Sequence, residues 1–133
     1  MDVGNELIRS YEVSTASLHD GEIDLVKTGD KKAYRDKGYF GKKLHAEDVQ
    51  DRTMTRATRG HDLNSQQTKI NRAISHVRAP GERPFSVIKK VFHGSTTRVK
   101  TLARVSIKEM LKLFAFNLYQ LVTLKRKAIA KAL

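Results

Sequence analysis

The sequence predicts a mixed α/β fold, on three observations. Strand-type alternation is confined to the first third of the chain, helical apolar spacing governs the last two thirds, and turn residues punctuate the segments between them. With 133 residues and 39% apolar content there is enough material for a core, so a disordered basic tail does not describe the chain.

The elements follow in order. "LIRSYEVS" (7–14) alternates Leu7, Arg9, Tyr11 and Val13 against Ile8, Ser10, Glu12 and Ser14, the period of a strand. "VGNE" before it has turn chemistry, which makes residues 1–3 the end of an earlier strand in a hairpin. "TASLHDGEIDLVKTGD" reads as loop plus a short helix, with Asp20-Gly21 and Gly29-Asp30 as breakers. "KAYRDKGY" is a short strand ending in a glycine turn at Gly38. "GKKLHAEDVQ" supports one or two helical turns, and "TMTRAT" (53–58) is another short β-like run.

Asn64 or Ser65 caps a helix running to about Val77, with Ile70, Ile74 and Val77 on one face. Pro80 and Pro84 then interrupt the chain, since each disfavours helix in the residue before it. The spacing Phe85, Ile88, Phe92 gives a second helix that ends before Gly94. A third starts near Val105 or Ser106 and is apolar nearly all round from 110 to 124, the pattern of a helix buried in a larger core. Its tail, "LKRKAIAKAL", is basic and reads as frayed.

Composition narrows the function. There is no cysteine, which excludes a disulfide scaffold and any Cys-based zinc or redox site. No apolar segment follows Met1 to read as a secretion signal, and the run 110–124 is interrupted by Lys112, Asn117 and Gln120, too short and too polar for a membrane span. The expectation is a soluble cytoplasmic protein. Residues 1–51 hold 8 Lys/Arg against 11 Asp/Glu, a net −3, whereas residues 52–133 hold 18 against 3, a net +15. Folding gains nothing from such a field, because like charges repel in the compact state. A polyanionic partner accounts for it, nucleic acid first and an acidic membrane surface second, with a merely solvated basic face as the bland alternative.

Two carboxylates stand out. Asp36 closes the strand "AYRD" just before "KGY", where it either initiates the turn or projects into a cleft that a cation could reach. Glu82 is alone among basic residues in "RAPGERPFSVIKK" (78–90). Near a helix start the dipole favours its ionised, metal-binding form. Lys89 lies seven residues on, roughly 10 Å along the same face, and Ser86 lies between them. The competing reading of Glu82 is a capping carboxylate paired with Arg78 or Arg83. The five histidines lack metal-ligand spacing, and no phosphate-binding glycine loop or nucleophile elbow is present. The basic residues of 98–108 and 125–131 are either phosphate-facing or solvated.

"YRDKGYFG" followed by "ISHVRAPGERPFSVIKK" resembles the C-terminal half of insertion-sequence transposases of the DDE class that carry the Tyr-Arg-Glu-Lys signature (the insertion-sequence four/five type). The signature, Y-x2-R-x3-E-x6-K, falls on Ser75, Arg78, Glu82 and Lys89, so three of its four positions match. "TASLHD" and "FNLYQL" are similar to the segments that precede the second Asp strand and close the domain. The resemblance implies a ribonuclease-H-like fold, a mixed sheet flanked by helices, over residues 1–124, with 125–133 a basic tail. It implies DNA transposition by two-metal phosphoryl transfer at transposon ends, with Mg²⁺ or Mn²⁺ as cofactor. Asp36 and Glu82 would be catalytic metal ligands, and Arg78, Arg83, Lys89 and Lys90 DNA contacts, with Arg78 and Lys89 also able to orient Glu82.

The departures shape a further expectation. Ser75 replaces the signature Tyr, and the family's first Asp belongs to a strand upstream of the hairpin assigned to residues 1–14, so Asp2 does not take its role. The chain is therefore expected to be an incomplete domain, lacking its N-terminal strand and inactive alone. DNA is the expected partner, with a homodimer or an upstream chain beside it, and a nucleoid-associated location. The alternative is a non-catalytic basic nucleic-acid-binding protein in which both carboxylates are structural.

Overall fold

The computed structural model describes residues 1–15, 17, 18 and 22–132. Among them the fold is mixed α/β. Its elements are β1 (Lys32–Arg35), β2 (Gln50–Thr53), α1 (Ser65–Arg78), α2 (Arg83–Lys90) and α3 (Leu102–Ala132), with 3-10 turns at Lys37–Tyr39 and Ala79–Glu82. They fall into two compact units, one of Ala16–Ala79 and one of Met1–Thr15 with Pro80–Leu133. No helix among the described residues is long and apolar enough to cross a membrane.

In the first of these units β1 and β2 pair in parallel, Lys32 opposite Gln50 through Arg35 opposite Thr53. The alternation of β1 buries Ala33 and Arg35 on one face. A buried guanidinium is tolerated only when its donors are satisfied. Arg35 donates Nε to Thr53 Oγ1 at 2.8 Å, and Nη2 to the Lys42 carbonyl at 2.8 Å and to Asp51 at 2.6 Å. The second strand lies three residues earlier than "TMTRAT" suggests. After Met54, whose N–H still reaches the Arg35 carbonyl, the backbone of Thr55 is taken by a side chain of α1.

That side chain is Asn71. Its Oδ1 accepts from the Thr55 N–H and its Nδ2 donates to the Thr55 carbonyl, both at 2.9 Å, filling the place of a strand partner. The buried positions of α1 are accordingly Asn71 and Ile74, and Ile70, expected on the core face, is exposed. The helix start is as expected: Asn64 and Gln67 form a reciprocal capping box. "GKKLHAEDVQ" is not helical. Gly41 at φ +79° turns the chain, and the His45 N–H is bound to Asp24 instead of a helical carbonyl. Of the described residues of 15–30 only Glu22 is helical, in a 3-10 turn; Gly29 does break the chain, at φ +93°, whereas Asp20-Gly21 lies outside the described residues.

In the second unit the "VGNE" turn forms, with Asp2 Oδ1 accepting from the N–H groups of Gly4 and Asn5. Residues 7–14 do not form a strand, however; among the described residues no strand pairs with them. The backbone of Ile8 is held by the Asn117 amide of α3 instead, N–H to Oδ1 and carbonyl to Nδ2 at 2.9 Å each. Gln120 of the same helix donates to the Asn5 carbonyl.

Helix α2 begins at Arg83, which places Pro84 and Ile88 on its buried face and turns Phe85 outward, 66% exposed. It packs on α3, with the rings of Phe92 and Tyr119 edge to face at 6.1 Å. After α2 the Gly94 N–H bonds the Ile88 carbonyl at 2.8 Å, and a Cβ at Gly94 would sit 2.9 Å from Ile88 Cγ2, so only glycine fits this close approach.

Helix α3 starts earlier than its apolar pattern indicates. Thr101 caps it, its carbonyl accepting from the Val105 N–H and its Oγ1 from the Arg104 N–H. It continues through the basic tail to Ala132, so that segment is helical rather than frayed. Nor is α3 enclosed: among the described residues only Phe116 and Gln120 on it are buried, while Ile107, Leu111, Phe114 and Leu118 are exposed.

Candidate functional site

Asp36 follows the last residue of β1, at the carboxyl end of the parallel pair. That end is where α/β sheets commonly place ligand-binding groups. Its Oδ1 accepts from the Gly38 N–H at 3.2 Å, which caps the 3-10 turn, so the turn-initiating role is real. Its Oδ2 faces the Arg78 guanidinium, Nη1 at 3.3 Å. The carboxylate nevertheless remains more than half exposed and accessible to a cation. Turn capping and cation binding are compatible here, because each carboxylate oxygen has two lone-pair sites.

Arg78 reaches this point because it ends α1, in the same unit as β1. Its Nη1 also lies 3.9 Å from Met54 Sδ, beyond the end of β2. Within its own unit, the carboxylate that Arg78 holds is Asp36.

Glu82 stands at the N-terminal boundary of α2 with αR backbone and no side-chain capping bond. It is exposed and, within its own unit, is not paired with Arg83, so it is not a capping carboxylate held by that residue. Arg83 is instead bound to Glu6 at 2.6 Å, which removes it from the freely available cations. Glu82, Ser86, Lys89 and Lys90 line one groove of about 570 Å³. Lys89 and Lys90 are exposed and have no ion-pair partner among the described residues. A phosphate could therefore neutralise them without breaking an existing contact.

Two residues of this groove escaped the sequence reading. Glu109 and Lys112 contribute from α3, bound to each other at 2.6 Å. Their i,i+3 spacing marks a helix-surface pair, but only the packing of α2 on α3 shows which groove they enter. Ser75, at the signature Tyr position, is exposed on α1, and its carbonyl accepts the Ala79 N–H.

The donors suit a hard divalent cation, since exposed carboxylate oxygens are the ligands such ions take. Asp36 and Glu82 meet that requirement singly. No group of three or more His, Cys, Asp or Glu side chains capable of holding an ion occurs among the described residues.

A different carboxylate carries a clear electrostatic perturbation. Burial pushes Asp24 up, but hydrogen bonds from the His45 and Val26 N–H groups and the His45 ring outweigh it and hold the carboxyl below its ordinary value. The contacts are at 3.0, 3.0 and 3.1 Å respectively. They tie residues 24–26 to the loop before β2, a structural task.

The family model described as "Transposase DDE domain" matches residues 1–118. No curated protein and no solved structure matches the chain. Since the family match spans most of the 133 residues, the chain belongs to the transposase DDE domain family.

Proposed function

We propose that this chain contributes to DNA transposition as part of an insertion-sequence transposase of the Tyr-Arg-Glu-Lys type, with a ribonuclease-H-like catalytic domain. The observation that carries the reading is Asp36, kept accessible beside Arg78 at the carboxyl end of β1 within the family match. Asp36 and Glu82 serve as ligands of Mg²⁺ or Mn²⁺. When bound, such ions supply the charge neutralisation and water acidification that phosphoryl transfer requires.

The chain's own groups do the remaining work. Arg78 holds the Asp36 carboxylate through Oδ2 and the Gly38 N–H holds it through Oδ1, each oxygen keeping a second lone-pair site for a cation. Lys89 and Lys90 bind backbone phosphates from the groove that Glu82 lines, which positions DNA without reading its sequence. Arg83 acts through its pair with Glu6, steadying the start of α2, rather than as a primary phosphate contact. Asp36 and Glu82 are the two carboxylates assigned here, and two-metal chemistry would need a further acidic ligand beside them.

The +15 charge of residues 52–133 also fits a second reading, a basic DNA-binding protein without chemistry of its own. Incubation with Mg²⁺ or Mn²⁺ and a labelled transposon-end duplex separates the possibilities. Salt-sensitive binding without nicking is expected of the chain alone. Metal-dependent nicking that Asp36→Ala abolishes would refute inactivity. Failure of metal-dependent chemistry after complementation with an Asp-bearing upstream strand would favour the non-catalytic reading.

A further inference from the structure

The loop after Asp36, "KGYFGKK" (37–43), presents an aromatic ring amid cations. Phe40 is 47% exposed, and Lys37, Lys42 and Lys43 around it are also exposed, with no ion pair among the described residues. A lone exposed Phe is ordinary. What distinguishes this one is the clamped backbone that displays it.

The Phe40 N–H bonds the Lys37 carbonyl at 3.2 Å, and the Lys42 N–H bonds the Tyr39 carbonyl at 3.0 Å. Arg35 holds the loop from below: its guanidinium stacks against the Tyr39 ring at 5.6 Å and donates to the Lys42 carbonyl. Gly41, at φ +79°, lets the chain reverse between the ring and the lysines. Phe40, Lys42 and Lys43 consequently border one open groove of about 450 Å³. Its one acidic residue, Asp51, is already bound to Arg35 and to Thr53 Oγ1.

We propose that Phe40 is a stacking platform for an unpaired DNA base, with Lys42 and Lys43 neutralising the adjacent phosphates. The proposal rests on DNA being the substrate and adds which form of it this loop engages. Phenylalanine offers a ring face and no polar group, so it cannot read a base edge. Inside a duplex both faces of a base are covered by its neighbours. The ring therefore gains a partner at an unpaired overhang, a gap or a single strand. Stacking beside lysines tolerates any base, the pairing of contacts by which single-stranded nucleic acid is held. A loop already fixed in place loses little freedom when the base arrives.

The test uses the full chain and a single-stranded oligonucleotide carrying 2-aminopurine, with a blunt duplex of the same sequence as reference. Stacking on Phe40 is expected to change the 2-aminopurine fluorescence on binding. Phe40→Ala should abolish that change and weaken single-strand binding roughly five- to hundredfold, while duplex affinity stays within about twofold. Phe40→Trp should restore both signals. Circular dichroism confirms that the variants fold. Unchanged single-strand affinity and fluorescence in Phe40→Ala would overturn the proposal, as would equal losses on both DNAs, while leaving DNA binding intact. Failure of the parent chain to bind either DNA at low salt would overturn the DNA reading itself and this proposal with it.

Discussion

Asn71 and Asn117 perform the same task in different units: each supplies an acceptor and a donor to the backbone of one extended residue, Thr55 or Ile8. Asn71→Ala removes both partners of Thr55 at once. Leaving a polar group unsatisfied costs about 1–3 kcal/mol, and partial access of water to Thr55 keeps the expected loss in that range. A lowered urea midpoint with an unchanged m-value would confirm it. Asp24 gives a second residue-scale expectation. Its folded pKa lies below the unfolded carboxylate value of about 3.9, so its contribution is present above that pH and is lost as pH falls through the folded value. Asp24→Asn should be less stable than the parent at pH 7, with the gap closing toward pH 3. An equal gap at both pH values would contradict the assignment. Neither role was legible beforehand, because both depend on partners distant in sequence, whereas the Asn64–Gln67 capping box is local and could be read directly.

Among the elements, the helices were more legible than the strands for the same physical reason. A helix satisfies its backbone within a continuous segment, so caps and apolar spacing located α1 and α2 closely. A strand requires a neighbour. Residues 7–14 alternate correctly but have a side-chain amide where a ladder was expected, and β2 formed where Arg35 and Asp51 could meet. Helix α3 exposes the limit of periodicity: its apolar residues encircle it, and the pattern does not say which of them are covered. Phe116 is fully buried, while Phe114, two residues earlier, is 60% exposed. Phe116→Ala should therefore cost about 3–5 kcal/mol, whereas Phe114→Ala should change stability by about 0.5 kcal/mol or less. Denaturant titration of the two variants compares them directly, and equal losses would contradict the packing.

At the scale of the whole molecule, charge and family membership point the same way. The +15 of residues 52–133 calls for a polyanion, and the family match supplies DNA transposition as the setting. Motif spacing identified Asp36, Arg78, Glu82 and Lys89 as candidates, but the pairing of Arg78 with Asp36 came only from the fold of their unit, because the two lie far apart in sequence. The groove partners Glu109 and Lys112 emerged only from the packing of α2 on α3. The central claim is that Asp36 and Glu82 are cation ligands rather than structural carboxylates. The most direct test is an NMR titration of the chain with Mn²⁺, whose unpaired electrons broaden signals of nearby nuclei. The account predicts selective broadening around Asp36 and around Glu82, lost at the respective position in Asp36→Asn and Glu82→Gln. Broadening that avoids both residues, or that persists unchanged in the two variants, would contradict it.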